Sequence, residues 1–242
     1  VYITPVHWGK VEKRTWFSLL VMLLTVPLML YLSVVLFHGK QYLAMSLIVV
    51  FFAMVPFFMV FEGRKPQARE IMVIAVLAAI GVAGRAAFYM IPSFKPIAAI
   101  VILTGVSFGG EAGFLVGCMI MMVSNMFFGQ GPWTPWQMFS YGLIGFLAGI
   151  LFQKGILKAR KIPLCIYGFL SVIFIFGGIM NPASILMSYG RITWKSLIAF
   201  YISGIPVDLV QATSTVFFLW ILSHPLLEKL ERIKKKYGLI ER

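Results

Sequence analysis

The sequence predicts an all-α integral membrane protein, and three observations lead to that fold class. Of 242 residues, 60% are hydrophobic and only 12% are charged, and the mean hydropathy is +0.93. A soluble domain carries about 25% charged residues, so a soluble fold of this size could not cover such an apolar core. The apolar residues also form long continuous runs, not the alternating pattern of strands. Soluble enzymes and nucleic-acid-binding modules are therefore largely excluded.

Eight apolar runs approach the ~20 residues that a helix needs to cross a bilayer, although the fourth is short. The runs are Trp16–Phe37, Tyr42–Phe61, Ile71–Ile91, Ile97–Phe108, Ala112–Phe128, Trp136–Phe152, Ile162–Met180 and Leu197–Ser223. Polar or turn-forming segments separate most of them, in order His38–Lys40, Glu62–Glu70, Pro92–Pro96, Gly129–Pro135, Lys154–Lys161 and Asn181–Lys195. We expect a two-helix transmembrane hairpin at 1–66, a six-helix core at 67–227 and a basic tail at 228–242.

The basic residues predict the orientation of the chain. Sixteen lie on the side that carries both termini and four on the opposite side, while Arg85 falls inside a span. The larger group occupies Lys10–Arg14, Arg64–Arg69, Lys154–Lys161 and Lys229–Arg242. Cytoplasmic loops carry the excess of Lys and Arg, so both termini are expected in the cytoplasm of a plasma-membrane protein. The net charge of +13 then reflects loops held against an anionic leaflet, and no nucleic-acid partner is expected.

No residues with catalytic or metal-binding spacing are evident. Cys118 and Cys165 lie within apolar runs and are interpreted as core packing, and the three histidines are scattered. No Walker motif or glycine-rich phosphate loop is present, so the chain is not expected to hydrolyse ATP or to bind a cofactor itself. A membrane-embedded enzyme that uses Asp208 is a weak alternative, because a second carboxylate or a metal set is missing.

The third run carries alanines at every fourth position, which places them on one stripe of a helix. They are Ala75, Ala79, Ala83 and Ala87. Small residues four apart let helices approach closely in lipid. The stripe is therefore either packed within the bundle or a docking surface for another membrane subunit, and a scaffold that only assembles a complex remains a further alternative.

Two charges lie inside spans, where a charge is costly and marks a cavity or a partner. Arg85 points away from the alanine stripe. Asp208 begins a polar stripe with Gln211 and Thr215 on the last span. A structural Arg85–Asp208 pair and a pair of ligand contacts are equally weighted alternatives.

The segment Gly129–Pro135 is the most unusual loop, because its prolines and glycines make it stiff. An ordinary aromatic belt at the membrane surface would explain a single tryptophan there. A cluster of two tryptophans beside amide and hydroxyl groups is typical of a small-molecule pocket. The predicted ligand contacts are Asn125, Gln130, Trp133, Trp136, Gln137 and Tyr141, together with Arg85 and Asp208.

Four segments of the region Ala68–Phe152 are distinctive: ARE at Ala68–Glu70, the alanine stripe, Phe94–Gly117 and SNMFFGQGPWTPWQMFSYGLIGFLAGILF at Ser124–Phe152. Through these segments the region resembles the substrate-binding S components of energy-coupling factor (ECF) vitamin transporters. The likeness extends more weakly to Ser223. Such proteins are six-helix bundles, so the first two spans would be an addition.

The resemblance implies a binding subunit of an ABC-type importer that takes a vitamin at its outer face. A transmembrane coupling protein would dock on the alanine stripe, and two cytoplasmic ATPases would use ATP. The loops Pro92–Pro96, Gly129–Pro135 and Asn181–Lys195 would gate the site. The GQGPWTPWQ segment is most similar to cobalamin-type S components, with riboflavin, folate or thiamin as alternatives. Small residues in the sixth run would either leave room for a corrinoid or serve helix packing. They are Gly142, Gly145, Ala148 and Gly149.

Overall fold

A computed structural model describes residues 68–238 continuously, together with Leu47, Ile48, Phe51, Met54, Val55, Phe58 and Glu62. Its helices are α1 (Ala68–Ala87), α2 (Ile97–Phe108), α3 (Gly110–Phe128), α4 (Thr134–Gln153), α5 (Lys161–Tyr189) and α6 (Trp194–Tyr237). All of these except α2 are long and apolar enough to cross a bilayer. The predicted all-α membrane fold is confirmed for this part of the chain. The hairpin predicted at 1–66 lies outside the described residues, apart from the seven named above.

The short helix α2 lies at the centre of the described helices. Every residue of its 12 except Val106 is buried, which suits a helix that is apolar on all sides. α2 ends at Phe108 and is capped by Gly109, whose φ of 104° is accessible to glycine at little cost. α3 begins at the next residue, so the chain reverses within one residue.

Glycines bring the backbones of α2, α3 and α4 into direct contact. A Cβ atom on Gly105 would lie 2.1 Å from the carbonyl oxygen of Gly145, and one on Gly149 would lie 2.2 Å from the amide nitrogen of Gly110. A Cβ on Gly142 would lie 2.8 Å from the Phe114 ring. The α4 glycines, and Ala148 (0% exposed), therefore serve helix packing and leave no room for a corrinoid among them.

α5 continues beyond the end that the sequence predicts. The sequence predicts a span that ends at Met180 and a loop over Asn181–Lys195, but the helix extends to Tyr189, so the loop to α6 is only residues 190–193. Pro182 has no N–H to donate to the carbonyl of Gly178 four residues earlier. The hydroxyl of Tyr201 in α6 donates to that carbonyl instead, at 3.2 Å. A partner helix thus replaces the lost hydrogen bond, and a π-helical segment at Val172–Phe176 precedes it.

α6 has 44 residues and is therefore about 66 Å long, roughly twice the hydrocarbon thickness. Ser214 donates to the carbonyl of Lys95 in the α1–α2 loop at 3.1 Å. The twenty residues of α6 before Ser214, about 30 Å of helix, lie beyond this contact. At the other end α6 continues to Tyr237, so part of the predicted tail at 228–242 is helix, with Leu227, Leu230 and Lys234 buried.

Candidate functional site

Polar side chains from three helices meet at the predicted outer end of α1, α3 and α4. Arg85 donates from Nη1 to Ser124 Oγ and to Asn125 Oδ1, both at 2.6 Å. Asn125 Nδ2 donates to Thr134 Oγ1 and to Gln137 Oε1, both at 2.9 Å. Ser124 and Asn125 are fully buried. We call these five residues the outer polar cluster; it joins two of the predicted contacts, Arg85 and Asn125, with a third, Gln137.

The cluster also holds the Gly129–Pro135 loop in place. Thr134 Oγ1 donates to Gln130 Oε1 at 2.8 Å, and Gln130 Nε2 donates to the carbonyl of Met122 at 3.1 Å. Trp133 lies over Gly131, where a Cβ atom would come within 2.4 Å of the indole. Trp133 is 39% exposed, so its ring lies at the surface of this loop.

Trp136 and Tyr141 occupy different surroundings from Trp133. Trp136 packs against an apolar cluster that includes Met54, Phe114 and Phe139. Its buried Nε1 has no hydrogen-bond partner among the described residues. Tyr141 is buried, and its hydroxyl accepts a hydrogen bond from Gln211 Nε2 at 2.8 Å. The structure therefore does not bring Trp136 and Tyr141 into the outer polar cluster.

Asp208 does not pair with Arg85, contrary to the pairing alternative. Its Oδ2 accepts a hydrogen bond from Asn181 Nδ2 at 3.1 Å, and it lies against Gly177 of α5. Asp208 is six residues before Ser214, so it stands on the part of α6 that extends beyond Lys95. Asn181 was missed from the sequence because Asn181-Pro182 is typical of a loop.

We expect the losses of folded protein in Arg85→Ala and Asp208→Ala to add in the double variant. Residues with no shared partner couple by less than about 0.5 kcal/mol. Thermal unfolding of the two single variants and the double variant in detergent measures the coupling. Recovery of stability in the double variant would contradict this expectation and support a direct Arg85–Asp208 pair.

Lys95 is a further residue of this end that sequence reasoning missed. Its Nζ donates to the carbonyls of Phe88 (2.5 Å), Tyr89 (3.3 Å) and Ile91, just after the end of α1. Lysine near a helix C-terminus satisfies carbonyls that lack helical partners. Partial burial lowers the pKa of Lys95, and the nearby Arg85 guanidinium lowers it further. The predicted Pro92–Pro96 loop is thus tied down in this structure.

The alanine stripe is exposed along its whole length, at Ala75, Ala79, Ala83 and Ala87. The opposite face of α1 is buried, through Ile74, Leu77, Ala78 and Gly81. Packing among the described helices therefore does not explain the stripe. Docking of another helix remains a prediction.

A shallow groove of about 260 Å³ lies between α5 and α6, away from the outer polar cluster. Its lining is entirely apolar: Cys165, Ile166, Phe169, Leu170 and Val216. A vitamin site needs a few convergent polar groups, so this groove does not fit one.

Comparison with known proteins gives one family match. The sequence profile of the family described as ECF-type riboflavin transporter, S component, matches residues 65–232. A UPF0397 protein of Vibrio atlanticus is 30% identical over 125 residues, which are 49% of this chain and 68% of that protein. UPF0397 proteins of Aliivibrio salmonicida and Aliivibrio fischeri (strain MJ11) are 32% and 35% identical over 121 and 89 residues. Those stretches are 46% and 35% of this chain, and 64% and 48% of the relatives. No solved structure matches the chain significantly.

Proposed function

Because this chain belongs to the family of ECF-type riboflavin transporter S components, we propose that it is the substrate-binding subunit of a vitamin importer. The observation that carries the proposal is the profile match, which covers all six described helices almost completely. The surroundings of Asp208 disfavour the alternative of a membrane-embedded enzyme. Its carboxylate accepts a hydrogen bond from the Asn181 amide, and no second carboxylate lies beside it among the described residues. In this function the chain holds the ligand and leaves ATP hydrolysis to other subunits.

The ligand enters at the outer polar cluster and the Trp133 loop, on the side that the charge distribution assigns to the exterior. Three features support this location. Arg85 and the two amides offer hydrogen bonds, Trp133 offers an exposed ring, and α5 and α6 extend past Lys95 on one side. The contacts proposed from the sequence remain Asn125, Gln130, Trp133, Trp136, Gln137, Tyr141, Arg85 and Asp208. Arg85, Asn125, Gln137 and Gln130 are linked, directly or through Thr134, in one hydrogen-bonded network.

The favoured ligand is cobalamin or a related corrinoid, on the similarity of the GQGPWTPWQ segment. A corrinoid is at the upper end of what a pocket of ~1,000 Å³ encloses. The glycines of α4 are filled by packing, so such a ligand would lie on the open outer end and not inside the bundle. Riboflavin is the second candidate, because the description of the matching family names riboflavin.

A binding screen on the purified chain tests the function. Cobalamin, cobinamide, riboflavin, thiamin, folate and biotin are titrated against the protein in detergent, with tryptophan fluorescence and calorimetry as readouts. Saturable binding of one compound is the expected result. Absence of binding by all six would contradict a vitamin-binding subunit and favour a scaffold, and turnover of any compound without ATPase subunits would favour an enzyme.

We expect Trp133→Ala to weaken ligand binding by roughly 1–3 kcal/mol, about tenfold to a hundredfold, because a large apolar contact is lost. The ligand-induced change in tryptophan fluorescence should shrink in the same variant. The control is Trp220→Ala, an equally large truncation at an exposed tryptophan (52%) far along α6. Equal dissociation constants in the two variants would show that Trp133 does not contact the ligand and belongs to an aromatic belt at the membrane surface.

Transport requires partners, which we infer from the family: a transmembrane coupling protein on the alanine stripe and two cytoplasmic ATPases. Both chain termini then face the cytoplasm. In this proposal the hairpin predicted at 1–66 is an addition to the six-helix core. The family match begins at residue 65 and so leaves the hairpin almost wholly outside.

A further inference from the structure

Among the residues that the structure describes, Arg85 is a cation without an anion. Its hydrogen-bond acceptors, Ser124 and Asn125, are neutral, and its guanidinium carbon lies 5.4 Å from the centre of the Phe128 ring. Within the described part of the chain no carboxylate contacts it, and Asp208 is held by Asn181. A charge inside a membrane bundle normally faces a partner or a polar cavity. Pairing within the described part of the chain therefore does not explain why a charged residue stands at this position.

The geometry of the guanidinium leaves donors for another molecule. Arginine has five N–H donors in a planar fork. Only Nη1 donates to described residues, so Nη2 and Nε, one edge of the fork, have no hydrogen-bond partner there. Among the described residues, Trp136 Nε1 is buried without a hydrogen-bond partner. Neither Nη2 nor Nε of Arg85 is buried in this way. An edge of this shape can donate two parallel hydrogen bonds to a carboxylate or a phosphate.

The surroundings of Arg85 add to its positive potential. Lys95 is close enough for the two charges to repel, and its ammonium group is held by three carbonyls. At the predicted outer end, the described residues therefore carry four cations, Arg85, Lys95, Arg191 and Lys195, and one acidic residue, Asp208 on α6.

We propose that the free edge of Arg85 binds an acidic group of the transported ligand, a phosphate or a carboxylate, and so selects for ligands that carry one. This inference rests on the proposed function, since it assigns part of the ligand to that site. Ser124 and Asn125 act as positioning residues that hold Nη1 and thereby orient the free edge. The bonds are charge-assisted, which makes them stronger than contacts to a neutral ligand.

The test compares matched ligands that differ in an acidic group. The pairs are riboflavin 5′-phosphate with riboflavin, cobinamide phosphate with cobinamide, and biotin with its methyl ester. Calorimetry on the purified full chain gives the dissociation constants. For the pair that binds, the acidic member should bind about tenfold to a hundredfold more tightly, and the preference should decline with added salt.

Variants then assign the preference to Arg85. Arg85→Gln should reduce the difference within the pair to about twofold or less, and Arg85→Lys should keep part of it, because lysine keeps the charge but not the fork. Lys229→Gln, which removes one exposed positive charge at the other end of α6, is the control and should keep the full preference. If Arg85→Gln does not fold, the preference of the native chain and its response in Arg85→Lys decide the question.

The outcomes separate this inference from the proposed function. Binding without a preference for the acidic member, or a preference that survives Arg85→Gln, would overturn the inference and leave a vitamin-binding subunit in place. If no compound of any pair binds, the proposed function itself fails and the inference with it.

Discussion

Ala79→Trp should abolish vitamin uptake by cells while ligand binding to the purified chain remains unchanged. Ala79 lies in the middle of the exposed alanine stripe, and the outer polar cluster lies on the opposite side of α1. A helix that docks on alanines requires close backbone approach, which an indole prevents. Uptake of labelled vitamin, in cells that also produce the coupling protein and ATPases, measures the effect, and we expect a loss of at least about tenfold.

The matched control for this substitution is Thr213→Trp. Thr213 is also small and exposed, but it lies on α6, away from the stripe. It introduces the same indole into a membrane helix and should leave uptake near the native level. Normal uptake by Ala79→Trp, at an equal amount of inserted protein, would show that α1 does not dock through its alanines. A loss in both variants would point to insertion or folding instead.

The six helices of the core could be predicted because each is a continuous apolar run. Composition and run length identify such helices without knowledge of their neighbours. The ends were less predictable where a tertiary contact replaces a local signal. Pro182 is a typical helix breaker, and only the hydroxyl of Tyr201 allows α5 to pass it. Likewise α6 continues past Pro225, and Leu227 and Leu230 are buried along that extension.

The candidate site could be predicted in part for the same physical reason. Residue types that carry charge or amides stand out within apolar helices, so Arg85 and Asn125 were recognisable from the sequence. Which of them meet depends on helix register and tilt. The position of Ser214 beside Lys95 places Asp208 beyond the level at which it could reach Arg85. Lys95 was missed because a single lysine in a loop has the appearance of a solvated charge.

The glycines of α4 illustrate how a sequence signal can have two opposite meanings. Small residues in a membrane helix either leave space for a ligand or let another helix fill that space. In α4 the second applies, since a Cβ on Gly145 would lie 2.5 Å from the carbonyl oxygen of Gly113 and 2.6 Å from Val101 Cγ1. The carbonyl is backbone and cannot turn aside, so the helices themselves would have to separate.

Gly145→Val should therefore prevent the core from folding, at a cost of about 3 kcal/mol or more from overpacking. The control is Gly178→Val, because Gly178 is also helical but has no atom within 4 Å of an added Cβ. Both variants carry the same β-branched residue, so the intrinsic helix cost cancels and the difference reports packing. Yield of monodisperse protein and its thermal unfolding in detergent give the comparison. A Gly145→Val protein as stable as Gly178→Val would mean that α2, α3 and α4 are not packed backbone to backbone, and the space beside α4 would again be open to a large ligand.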